Sequence, residues 1–437
     1  MLKASTAAIE LAPPIGDPLY GYIARTKGSI GIHDPLFARA IVFDDGNSRA
    51  AIVSCDLLAL EIETAAEIRR RIELSLDIPA SSIIICCTHT HSGPITLISE
   101  KLNRIWLELL KDKIVKAVQR ALSSLKPAIL RHASTVVREI GFNREYFWAR
   151  NGGKEAKDYP IDESLNVLAV DSTDGSAIAT VVNYAVHGVV LGPQNLEYSA
   201  DFPGAVCKHL KELRGGEGVY IQGACGEIDP TIQRDRGWGT GTFDDVEQYA
   251  TRLAHAAIEA LKDSTIEIAG DIQSAARIVN IPLDEPPSDE EIQQVSDEAN
   301  EYLNKGGEVN QQIGSTLLEW TKRIRYLKQI DQIPSAWPVE IVAIKIGQLC
   351  IIGLPFEAFS AIGEGIKNRI SPLIGWFAGY ANGYLGYLPA KWAKDLGGYG
   401  GKTAGRYGFG PLIIPPGYGA DDFIVNETVK LVEESFI

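Results

Sequence analysis

The sequence predicts an α/β fold in which mostly buried β-strands are flanked by helices, and three observations predict it. Short apolar runs such as "AIVFDD", "SSIIICC" and "AIATVVNYAVHG" alternate with amphipathic stretches along most of the 437 residues. The runs are almost continuously apolar, as strands covered on both faces are. The stretches between them repeat apolar residues every three or four positions. In the longest, near Phe243 to Lys262, the stripe is Val246, Tyr249, Leu253, Ala257 and Ala260.

Taken in order, "AIVFDD" and "AAIVSCDLLAL" precede a helix from about Glu61 to Leu76, and "SSIIICCTHT" precedes one from about Lys101 to Leu125. "AIATVVNYAVHG" leads into the helix "DFPGAVCKHLKELRGG", and "GVYIQGACG" into the one near Phe243. A polar segment at about 285–330 breaks the pattern. It opens with a capping box, Ser288 with Glu291 three residues on, and reads as a helical insertion or hairpin between strands. A final strand, "EIVAIKIGQLCIIGLP", runs into one more helix and then into the glycine-rich "GYLPAKWAKDLGGYGGKTAGRYGFGP". With no internal repeat, residues 1–437 read as one domain.

Composition narrows the function. Apolar residues make up 45% and charged ones 22%, ordinary for a well-packed globular protein. The net charge of −14 argues against nucleic acid or an anionic membrane surface, since both demand clustered cations. No run reaches the roughly 18 apolar residues of a membrane-spanning helix. The N-terminus has no basic segment followed by an apolar core. The six cysteines mostly lie in apolar runs without CxxC spacing, which favours a reduced, cytoplasmic protein.

Four stretches carry candidate chemistry. In "CCTHTHSGP", strand alternation puts His89 and His91 on one face at the end of a buried strand; they are either a metal-binding pair or two hydrogen-bonded strand-end histidines. His187 in "VVNYAVHGVV" follows another buried strand and precedes a glycine, open to the same two readings. Glu357 in "IIGLPFEAFS" sits at a strand-to-helix junction, where a glutamate also simply caps. Tyr384, Tyr387 and Tyr399 stand among glycines, so their phenols either project into a cavity or pack as ordinary aromatics. Together they point to zinc, for which two or three histidines and a carboxylate are the usual ligands in a hydrolase. His132, His209 and His255 read as structural, and His33 in "GIHDPL" is open to two readings, a structural residue or one that reaches the site.

In these motifs the chain resembles the neutral ceramidase family, specifically its catalytic domain. "GIHDPLFARA", "THTHSGP", "GFNRE", "NYAVHG", "SADFPG", "QGACGEIDP", "GLPFE" and "NGYLGY" occur in the family's order over nearly the whole length. The resemblance implies the family's layered fold and Zn2+ held by His89, His187, Glu357 and Tyr387. It makes His91 a catalytic or outer residue beside the metal, places Arg144 near the scissile carbonyl, and makes Tyr399 a second active-site tyrosine. The implied reaction is hydrolysis of an amide or ester, as in N-acyl amide cleavage, by metal-activated water. Two departures stand out. Asp229 occupies the place of a serine before proline, where it would act as base, orient His91 or bind a polar group of the substrate; Phe356 replaces a glycine and would alter the wall beside the metal. The C-terminal β-sandwich of full-length members has no counterpart in the sequence. Two other readings stand beside this one: a zinc hydrolase of a small polar, carbohydrate-like or lactone substrate, and a metal-containing binding protein without catalysis.

Overall fold

The computed structural model describes residues 1–149, 159–263, 265–408 and 410–437. Its centre is a curled nine-stranded sheet. The pairing order is Glu217–Gln222, Ala177–Tyr184, Ser164–Ser172, Lys126–Val136, Lys3–Glu10, Phe37–Asp44, Arg49–Cys55 and Ile83–Cys87, with Ile266–Ile268 added beside Lys126–Val136. The inner pairings along this order are antiparallel. Only the two outermost strands, Glu217–Gln222 and Ile83–Cys87, join in parallel. The long apolar runs therefore do not come from an all-parallel sheet; they come from a sheet covered on both sides.

Phe37–Asp44 shows how. Ala38, Ala40 and Val42 point to one side and Ile41 and Phe43 to the other, and all are buried. The first side packs on the helices Ile62–Leu76, Arg104–Leu122, Asp201–Arg214 and Phe243–Asp263 through residues such as Ile68, Leu110, Val206 and Leu253. The second side packs on a four-stranded sheet, Ile272–Pro282, Ala336–Ile346, Leu349–Gly353 and Ile374–Ala378, through Val342, Ile344 and Ile351. The far face of that sheet, Ile341, Ala343 and Ile352, is closed by the helices Ser360–Arg369 and Ala420–Phe436. The result is four layers, helix–sheet–sheet–helix, with central strands such as Phe37–Asp44, Arg49–Cys55 and Leu349–Gly353 buried on both faces.

The stretch read as one final strand is two, because Gly347 at φ +54° turns the chain between Ala336–Ile346 and Leu349–Gly353. Between Ile272–Pro282 and Ala336–Ile346 stand two helices, Asp289–Lys305 and Glu308–Gln329. The Ser288 hydroxyl accepts from the Glu291 amide and the Glu291 carboxylate from the Ser288 amide, so the capping box forms. The pair packs through Val295, Leu317 and Trp320 on Ile414, in the same glycine-rich segment that carries Tyr399. Among the described residues no helix is long and apolar enough to cross a membrane.

The fold gathers strand ends. The curl of the large sheet lets Ser54 Oγ, on Arg49–Cys55, donate to the Tyr220 carbonyl at 2.5 Å, closing one end of the sheet on the other. The C-terminal ends of Ile83–Cys87, Ala177–Tyr184, Glu217–Gln222, Leu349–Gly353 and Ile374–Ala378 then open into one set of loops. Ligand sites commonly form outside the carboxyl ends of such strands.

Candidate functional site

His89 and His91 follow the first of these strands, but regular strand geometry ends at Cys87. The two imidazoles share a focus because His89 adopts the left-handed region, φ +62°, rather than through strand alternation. His187 follows Ala177–Tyr184, and its neighbour Gly188 lies directly on the histidine segment, with the His91 amide donating to the Gly188 carbonyl at 3.2 Å. A Cβ at Gly188 would sit 3.0 Å from the His89 carbonyl oxygen, so any side chain there would press the two segments apart. Gln222, the fully buried last residue of its strand, ties the two loops together. Its side-chain amide donates to the Thr88 carbonyl at 3.1 Å and to the Val186 carbonyl at 2.8 Å, one residue before each histidine.

The ring orientations are fixed from behind. His89 Nδ1 lies 2.9 Å from the Leu58 carbonyl and His187 Nδ1 2.7 Å from the Cys225 carbonyl. A carbonyl only accepts, so both Nδ1 atoms carry the hydrogen and both Nε2 atoms present bare lone pairs. His187 Nε2 is 2.9 Å and His89 Nε2 3.3 Å from Glu357 Oε2, while His91 Nε2 is 3.1 Å from His89 Nε2. His89, His187 and Glu357 are almost completely buried. Lone pairs that face one another at these distances repel unless a cation lies between them. Ligands about 2.0–2.1 Å from one zinc ion stand about 3.3 Å apart in a tetrahedron, so the donor set fits the metal. The three imidazoles offer nitrogens within 4.8 Å of one another. The Tyr384 hydroxyl donates to the other Glu357 oxygen, Oε1, and the Tyr380 ring stacks on His89 with centroids 4.0 Å apart.

Tyr387 reaches the same place through register. Glu357–Ala358 pairs with Tyr387–Leu388, with Glu357 directly opposite Tyr387. Burial pushes the Tyr387 phenol well above its ordinary value, and the Arg144 guanidinium opposes that rise. Arg144 and Asp229 come from another short ladder, Gly141–Asn143 with Ile228–Pro230, in which Asp229 lies opposite Phe142. "GFNRE" and "GEIDP", far apart in sequence, are thus the two strands of one ribbon. Arg144 Nη1 donates to Asp229 Oδ1 at 2.9 Å; Nη2 donates to the Tyr387 hydroxyl at 2.7 Å and to the Gly226 carbonyl at 2.8 Å. Tyr399 stands at the rim, 38% exposed, with its ring edge-on to Tyr387 at 5.6 Å between centroids.

All eight sequence-predicted residues therefore lie around one focus or in direct contact with groups that do. Two expectations change. Asp229 does not orient His91: His91 Nε2 faces His89, and His91 Nδ1 has no partner among the described residues. Phe356 points into the core between the second sheet and its helices, fully buried with Leu354 and Ile362, and forms no wall beside the histidines. His33 stacks on Phe243 with ring centroids 3.5 Å apart and does not enter the site.

Sequence reasoning missed the supporting residues. Gln222 begins the quoted "QGACGEIDP" but has no spacing signal of its own. Glu227 accepts from the Ser360 amide at 3.0 Å, and burial pushes its carboxyl up to about 7. Glu145 accepts from the Gly400 amide at 2.8 Å, anchoring the turn that presents Tyr399. Arg25 donates to the His91 carbonyl at 2.6 Å.

Residues 12–218 match the family described as neutral/alkaline non-lysosomal ceramidase, N-terminal. Neutral ceramidase B of Dictyostelium discoideum is 23% identical over 469 residues, covering 85% of this chain and 64% of the relative. The neutral ceramidase of Pseudomonas aeruginosa is 23% identical over 437 residues with the same coverage. The chain is thus similar to the neutral ceramidases in sequence, most clearly over residues 12–218. The crystal structure of the Pseudomonas aeruginosa neutral ceramidase has the same fold, with a TM-score of 0.74 at 18% identity over 98% of this chain and 74% of that one. The chain spans 64% of the length of each of these two curated relatives. The four-layer fold is thus shared with that crystal structure.

Proposed function

We propose that this protein is a zinc-dependent hydrolase that cleaves an amide or ester bond of a small N-acyl substrate. The observation that carries the reading is the convergence of three imidazole Nε2 atoms and one carboxylate oxygen from separate strand ends, with a phenol–guanidinium pair alongside. His89, His187, Glu357 and Tyr387 are the residues that would hold the ion. Zinc, when bound, supplies a water molecule acidified towards a pKa of about 7.

The chain's own groups supply the rest. His91 stands beside His89 with its Nε2 on the focus, placed to carry a proton to the nitrogen or oxygen that leaves. The Tyr399 phenol, at the rim, is the donor for the oxyanion of the tetrahedral intermediate. Arg144 keeps a positive charge on the same side, held above its ordinary value against the effect of burial by Asp229 and Tyr387. Asp229, 3% exposed and bound to Arg144, has little freedom to bind a substrate hydroxyl, which weakens the reading of a carbohydrate-like substrate. The retained donors at Arg144 and Tyr399 weaken that of a binding protein without catalysis. The relatives are neutral ceramidases, so the substrate class to try first is an N-acyl amide. Residues 1–437 act here as one catalytic unit, with the helices at 289–329 as an insertion in it. Six buried thiols, none in a disulfide, support a reducing, cytoplasmic setting.

Metal analysis tests this directly. One zinc per chain is expected in the purified protein, with loss of both metal and turnover in His89→Ala and Glu357→Ala. Zinc-free protein that hydrolyses its substrate undiminished, or zinc retained in both variants, would sink the proposal. A panel of N-acyl amides, esters, lactones and soluble sugars then separates the substrate classes.

A further inference from the structure

Asp229 stands where the resemblance expects a serine, and it has one strong partner. It faces Arg144 across the ribbon formed by Gly141–Asn143 and Ile228–Pro230, 2.9 Å from Nη1. The opposite nitrogen of the same fork, Nη2, lies 2.7 Å from the Tyr387 hydroxyl. Carboxylate, guanidinium and phenol thus form a continuous line that ends beside Glu357. Asp229 is 3.9 Å from His187 Nδ1, but that nitrogen gives its hydrogen to the Cys225 carbonyl at 2.7 Å. Asp229 contacts neither nitrogen of His91. A direct role as proton acceptor has no partner here.

We propose that Asp229 is a positioning residue that acts through Arg144, holding the guanidinium against Tyr387 so that the phenol oxygen is fixed as a metal donor opposite Glu357. The inference rests on the metal-site reading above. Two physical points support it. The charge-assisted hydrogen bond from Nη1 to the Asp229 carboxylate fixes the guanidinium more firmly than a neutral serine hydroxyl would. The planar fork also presents Nη1 and Nη2 to two partners at once, which a lysine ammonium on a flexible stem does not do. The aspartate then explains itself: in this chain it is part of the metal site's support and supplies no attacking group.

Co2+ titrated into metal-free full-length protein reports the donor set through its visible absorption, and chelator competition gives the affinity. Asp229→Asn and Asp229→Ser are expected to weaken Co2+ and Zn2+ binding by about 10- to 100-fold, as loss of outer partners of ligands does. Their Co2+ spectra should shift toward that of Tyr387→Phe, and Asp229→Asn combined with Tyr387→Phe should bind no more weakly than Tyr387→Phe alone. Unchanged affinity and spectrum in Asp229→Asn overturn the proposal, whether turnover is lost, as for a direct base, or kept. So do additive losses in the double variant. Should the single variants misfold, Asp229→Asn with Arg144→Gln removes both charges together. It must then fold, bind Co2+ and show the Tyr387→Phe spectrum, and a wild-type spectrum, absent binding or misfolding counts against the proposal. If the wild-type protein binds no Co2+, or His89→Ala binds it normally, it is the metal-site reading that fails.

Discussion

At φ +62°, His89 occupies backbone space that costs a non-glycine residue about 1–2 kcal/mol. The cost is met by the surroundings: the Leu58 carbonyl holds Nδ1, Tyr380 covers one face of the ring and Gly188 lies under the backbone. Backbone strain of this kind collects at functional sites. The sharpest probe is Gly188→Ala, because it adds one carbon and no charge. That carbon would meet the His89 carbonyl oxygen at 3.0 Å and Thr90 Cα at 3.3 Å, both backbone atoms with little room to yield. We expect about 1–3 kcal/mol of lost stability, the usual cost of overpacking, together with weakened zinc binding. Thermal unfolding with and without zinc measures both. Normal stability and normal affinity would mean that the two loops are not held as closely as described.

At the level of elements, the site depends on strand ends that come from two sheets, and Gln222 is the joint between two of them. Gln222→Leu keeps the apolar volume but leaves the carbonyls of Thr88 and Val186 without their donor. Each buried acceptor left unpaired costs about 1–3 kcal/mol, so the variant should melt earlier and lose metal affinity. A variant that melts earlier yet binds zinc as tightly would make Gln222 a structural residue only. The same elements show what the sequence could reveal. Ile83–Cys87 and Ala177–Tyr184 are legible because they are long apolar runs closed by histidine and glycine. Lys3–Glu10, "KASTAAIE", is legible only in the structure, since its small and polar residues carry no strong period and its place is set by pairing with Phe37–Asp44. The division of "EIVAIKIGQLCIIGLP" turned on one glycine. His89, His187 and Glu357 could be nominated as ligands from residue type and position, whereas Tyr387, noted with Tyr384 and Tyr399 among glycines, became a ligand only through the family resemblance. A phenol among glycines has no local signal, and its place beside Glu357 is a matter of non-local register.

Across the whole molecule, the four layers put polar groups where two sheets meet, and His132 is the clearest of them. It lies on Lys126–Val136, 5% exposed, with its ring 5.9 Å from that of Trp376 on the second sheet. Neither His132 Nε2 nor Trp376 Nε1 has a hydrogen-bond partner among the described residues. A proton added at His132 Nε2 would thus meet no acceptor, and burial depresses the imidazole to about 4, with the Asn166 side chain opposing only part of the effect. The sign follows from linkage. The unfolded chain takes up this proton near pH 6.5 and the folded one only near 4, so the native state gains from His132 above pH 6.5. That stability is lost as the pH falls from about 6.5 through about 4, and it amounts to at most about 3 kcal/mol. His132→Gln carries no such proton. Urea unfolding of the two proteins at pH 7 and pH 4.5 should show a smaller acid loss in the variant, the difference arising between the sheets and not at the histidines that face Glu357. Equal losses in both proteins would mean that protonated His132 is accommodated, and that the contact between the sheets admits water or an acceptor at that nitrogen.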